Sequence, residues 1–137
     1  MKTVVHLDVA LNVDWTGPGL PVDALPTTAG IYAEIYRPER GVRIGETGRS
    51  IRGKIRHDIA WFRAMRDGTA PDSQLRRTLP IAEAAKRTGD VGFAFFVVSE
   101  DPRLRDKDLR QSCERFMFDW VRRQSDWIDW NRQVSWR

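Results

Sequence analysis

Cysteine is almost missing from this chain. Cys113 is the only one in 137 residues, which excludes an internal disulfide framework and suits a reducing compartment. With one cysteine and two histidines, a structural zinc site lacks its usual ligands. No apolar run approaches the roughly 20 residues of a membrane span. The first residues contain one lysine but neither the unbroken apolar core nor the small-residue cleavage site of a secretory signal. The expected setting is therefore cytoplasmic, with no membrane partner. Internal repeats and low-complexity tracts are also lacking. A strong excess of one charge is lacking too: 23 Lys and Arg against 19 Asp and Glu leave a net charge of +4. That is a mild tilt towards polyanions, and the placement of the charges says more than their sum.

What is present fits one small domain over residues 1–137, large enough to bury a core without cross-links. Residues Thr3 to Val13 alternate, with Val5, Leu7, Val9 and Leu11 on one side, and predict one extra N-terminal strand. Asp14 to Thr28 carries several turn formers and reads as a loop. Gly30 to Tyr36 and Val42 to Gly45 are β-runs split by Arg37-Pro38-Glu39-Arg40-Gly41, which predicts a hairpin. Ser50 caps a helix that runs to about Arg66 and stops at Asp67-Gly68. Its stripe of Ile51, Ile55, Ile59 and Phe62 keeps i, i+4, i+8, i+11 spacing and should face the core. Arg52, Arg56 and Arg63 flank that stripe on one side, Lys54 and Asp58 on the other.

Further on, Ala70 to Ser73 reads as loop and Gln74 to Thr88 as helix, restarted at Pro80 and ended by Gly89. Val91 to Ser99 is apolar on both faces, as in a strand covered on both sides. Asp101-Pro102 should open a long helix to about Ser125, with Leu109, Cys113, Phe116, Met117 and Trp120 buried. The tail from Asp126 to Arg137, with Trp127, Trp130 and Trp136, should pack. The expectation is an α/β (α+β) fold: a small three-stranded antiparallel sheet flanked by helices, preceded by the extra strand and loop of residues 1–24.

A hairpin running through a glycine into a basic helix is suited to presenting donors to a phosphate. The stretch Gly30-Ile31-Tyr32, followed by Arg43-Ile44-Gly45, resembles the GIY-YIG nuclease family, whose two strands carry those tripeptides. The resemblance covers about residues 25–131 and rests on element order as well. It implies that Tyr32 is the first-motif tyrosine, Glu114 the metal-binding glutamate and Asn131 the late asparagine, with Gly30 and Gly45 supporting the hairpin. Three positions depart. Arg43 stands where the second tyrosine would. By helical phase, Lys54 stands for the family's arginine and Asp58 for its histidine; counting from Gly45 without that phase gives Gly53 and His57 instead.

The resemblance implies a metal-dependent endonuclease that hydrolyses DNA phosphodiesters with one Mg²⁺ or Mn²⁺. Such a reaction needs an activated water and stabilised charge at phosphorus. Glu114 would hold the metal, since Mg²⁺ prefers few protein carboxylates and several waters. Tyr32 would handle the water, Arg43 and Lys54 the phosphate, and His57 would assist proton transfer. Arg49, Arg52, Arg56 and Arg63 would contact the DNA backbone. The alternative keeps the fold and drops the chemistry, leaving a module that binds nucleic acid or a protein. For individual residues the ordinary roles are strand packing for Tyr32, a solvated helix carboxylate for Glu114 and a tail-holding contact for Asn131. Cleavage preference and a monomeric or homodimeric state are left open.

Overall fold

The structure is a computed structural model, and it describes residues 2–70 and 80–131. The expectations for residues 71–79, and for Trp136 and the end of the tail, lie outside the described residues.

The N-terminal alternation folds as two strands rather than one. Strands β1 (Thr3–His6) and β2 (Val9–Asn12) pair antiparallel as a separate two-stranded sheet, from His6 opposite Val9 to Thr3 opposite Asn12. Leu7 and Asp8 close the hairpin with φ of 50° and 65°, the left-handed geometry of a two-residue primed turn. Such a turn reverses the phase of the alternation. Val9 and Leu11 remain buried as expected, whereas Val5 and Leu7 are 63% and 59% exposed, and Val4 takes the inner side.

The second hairpin follows the expectation closely. Strand β3 (Gly30–Tyr36) pairs with β4 (Gly41–Thr47) in unbroken register, and β5 (Phe93–Ser99) pairs antiparallel on the other side of β3. One strand was not foreseen. Ile128–Asp129 (β6) adds parallel to β4, so the main sheet is mixed and four-stranded, in the order β5-β3-β4-β6. The described part of the tail packs at Trp130 because Gly41 has no side chain: a Cβ there would collide with the indole.

Among the described residues, three α-helices cover the sheet. Helix α1 (Ile51–Asp67) begins where the Ser50 hydroxyl accepts from the Gly53 N–H at 3.0 Å and ends at Gly68, φ 74°. Its stripe of Ile51, Ile55, Ile59 and Phe62 is buried, joined by Trp61 and Met65. With α2 (Pro80–Thr88) it covers the sheet face that carries Tyr32, Tyr36 and Phe95. Helix α3 (Lys107–Arg122) and the N-terminal hairpin cover the opposite face, with Ile31, Ala33, Ile35, Val42 and Ile44. Helix α3 starts later than Asp101. Asp101 caps only a short 3-10 turn, Pro102–Arg105, and Asp106 then caps α3 through the Leu109 N–H at 2.8 Å. Two caps five residues apart divide what periodicity presents as one helix. Cys113 lies in the α3 core, where burial pushes its thiol pKa up, consistent with a structural role. Among the described residues, no helix is long and apolar enough to cross a membrane.

Candidate functional site

Strand register decides which side chains meet. Tyr32 lies opposite Gly45 and Glu34 opposite Arg43, so in a pleated pair all four share the face under α1. Gly45 is needed there, because a Cβ would strike the Tyr32 ring. Asp58 enters from α1 and is 1% exposed, not on the flank that helical spacing suggested. Arg43 Nη1 donates to Glu34 Oε1 at 3.1 Å and to Asp58 Oδ2 at 3.5 Å. One guanidinium is therefore shared by two carboxylates that are almost wholly withdrawn from water.

The electrostatics follow from this arrangement. Burial, and then the neighbouring Asp58 charge, raise the Glu34 carboxyl well above its ordinary range despite Arg43. Burial opposes the Arg43 charge, but Glu34, Tyr32 and Asp58 outweigh it and keep the guanidinium protonated. Burial likewise pushes the Tyr32 phenol far above its usual value, with Arg43 only partly opposing. A fully buried phenol with a raised pKa is poorly suited to take a proton from water at neutral pH.

The other expected site residues are dispersed. Glu114 is 1% exposed on α3, the helix that covers the opposite face of the sheet. His57 is exposed on α1. Asn131 holds the tail: its Oδ1 accepts from the Ile44 N–H at 2.8 Å, and its own N–H and Nδ2 donate to Asp129. Gly30 packs its backbone against the Ser99 carbonyl and the Ile51 side chain. Three of the four arginines expected to touch DNA are occupied. Arg52 donates to the Asp23 and Leu25 carbonyls, Arg56 pairs with Asp23 at 2.8 Å, and Arg63 grips Asp90 at 2.9 and 3.3 Å.

Lys54 and Arg49 come together elsewhere, in an open basin of about 480 Å³ where β4 passes into α1. Arg105 and Arg110 line the same basin, with Glu46 and the Thr47-Gly48 turn. Arg110 is buried and fixed, donating Nε to Glu46 Oε2 at 2.9 Å and Nη1 to the Leu104 carbonyl at 3.0 Å. It thereby neutralises the only carboxylate among the described residues of the lining, where Lys54, Arg49 and Arg105 set the sign. The start of α1 adds little, contrary to what a glycine before a basic helix suggests. Its first N–H groups are taken by the Thr28 and Pro26 carbonyls and by Ser50, so anions must be held by side chains.

This donor set suits an anion. A divalent cation needs several oxygen ligands around a common space, and among its described residues the basin offers one carboxylate, already paired with Arg110. The described lining of the basin therefore does not fit the Mg²⁺ that the resemblance implies, and Glu114 is buried on α3 four residues beyond Arg110.

The residues missed from sequence are Glu34, Arg105 and the Glu46–Arg110 pair. The first had a signal. Counting back from Tyr36 opposite Gly41 across the turn puts Glu34 opposite Arg43. Comparison with protein-family models, with curated proteins and with solved structures finds no match.

Proposed function

We propose that this domain binds the phosphate backbone of nucleic acid through the Lys54–Arg49–Arg105 basin, on a GIY-YIG-like scaffold that does not cut. The observation that carries this reading is the contact between Arg43 and Asp58. These are the positions where the resemblance calls for a tyrosine and a histidine, and the two side chains bond to each other. The departures thus form a matched pair, with Glu34 as third member, and replace reactive groups by an internal ion cluster. The binding half of the reading rests on the basin: three cations from two elements and a connecting turn surround a space wide enough for phosphate, and Glu46, the one acidic residue of its described lining, is already paired with Arg110. Backbone phosphates recognised this way confer affinity without sequence preference.

The test joins two assays. Labelled DNA titrated at low salt should bind, and more weakly as salt rises. Supercoiled plasmid with Mg²⁺ or Mn²⁺ should stay intact under the same conditions. Metal-dependent nicking that disappears in Tyr32→Phe and Glu114→Ala would instead establish the endonuclease.

A further inference from the structure

A second cavity, of about 390 Å³, opens at the other end of the β3–β4 hairpin. This volume falls in the range of small-ligand sites, roughly 300–1,000 Å³. It forms where the hairpin turn, the segment after β2 and the C-terminal end of α3 with its following turn converge. Its lining combines indole with cations. Trp120 is buried, Trp127 is half-buried and meets Trp15 at 5.7 Å, while Lys2, Arg37 and Arg40 are exposed.

Each group matches one part of a nucleotide. An indole accepts a base by stacking, and arginine grips a phosphate by a planar fork. Asp14 and Asp126 both line the cavity; Asp14 Oδ1 accepts from Thr16 Oγ1 at 2.8 Å, and its Oδ2 stays open beside the Asp126 carboxylate as an acceptor. The Gln124 amide turns its Nε2 to the Trp120 carbonyl at 3.1 Å and so presents Oε1 as an acceptor. Acceptors beside an aromatic wall favour bases with an exocyclic amino group, adenine, cytosine or guanine, over thymine.

We propose that this cavity holds one unstacked nucleotide, its base on Trp127 and its phosphate on Arg37 and Arg40. In the setting of the proposed function, on which only the identity of the natural ligand rests, this gives the domain a preference for single-stranded nucleic acid.

Tryptophan fluorescence titrated with dAMP and dTMP tests the cavity by itself. The expected result is quenching that saturates at lower dAMP than dTMP, with dAMP binding weakened about tenfold in Trp127→Ala. Arg40→Gly should weaken it as well. Arg40 has φ 56°, which glycine adopts freely, so this variant should fold even if Trp127→Ala does not. Lys54→Glu, in the basin, should leave dAMP binding unchanged. No saturable quenching by either nucleotide, or quenching undiminished in Arg40→Gly, would overturn the proposal. Loss of DNA binding in Lys54→Glu with dAMP binding retained would support both sites; DNA binding absent in the wild type with dAMP binding intact would sink only the proposed function.

Discussion

Arg43 is the residue on which the interior depends. Removing one partner of a buried ion cluster leaves uncompensated charge, at a cost of about 3 kcal/mol or more. Arg43→Ala should therefore unfold in much less denaturant than the wild type at neutral pH, and adding Glu34→Gln should restore part of the loss. Glu34 also gives the fold a pH dependence of definite sign. Its carboxyl is ordinary in the unfolded chain and raised in the folded one, so the folded protein binds the extra proton between the two values. Stability should fall as pH rises through that window. Glu34→Gln keeps an acceptor for Arg43 and should flatten the fall; melting curves recorded across the acidic to neutral range would show it. An identical slope in both proteins would place the titration elsewhere.

The elements differ in how openly the sequence declares them. The β3–β4 hairpin, α1 and β5 were legible because each pairs a strong periodicity with its own stop signal, such as Ser50 and Gly68 around α1. The β1–β2 turn was hidden, since Leu7-Asp8 lacks the glycine or asparagine of a primed turn and continues the alternation without a break. That choice leaves the turn strained. Leu7→Asn with Asp8→Gly should raise stability by about 1 kcal/mol, visible as a higher melting temperature, because the exposed Leu7 side chain gives up little burial. Strand β6 was illegible for another reason: two residues have no periodicity, and its place is set by Trp130 over Gly41 and by Asn131 on Ile44. The candidate site was legible by residue type and not by direction. Helical spacing put Lys54 and Asp58 side by side on α1, but could not tell that one faces a basin and the other enters the core.

Across the domain, the arginines that look like a DNA-binding stripe are largely spent on internal order. Arg52 and Arg56 tie α1 to the 23–25 turn and Arg63 ties it to Asp90, while the cations proposed to hold phosphate are Lys54, Arg49 and Arg105 of the basin. Arg63→Ala should accordingly leave DNA affinity within a factor of about two, since an exposed pair contributes little to either stability or binding. The most direct test is DNA binding by the wild type and Lys54→Ala across a series of salt concentrations. Three basin cations predict a log–log slope of about −2 to −3, and Lys54→Ala should weaken binding and make the slope shallower by about one. An unchanged affinity and slope in Lys54→Ala, with both lost in Arg56→Ala or Arg63→Ala, would put the nucleic acid on the outer face of α1 and contradict the basin.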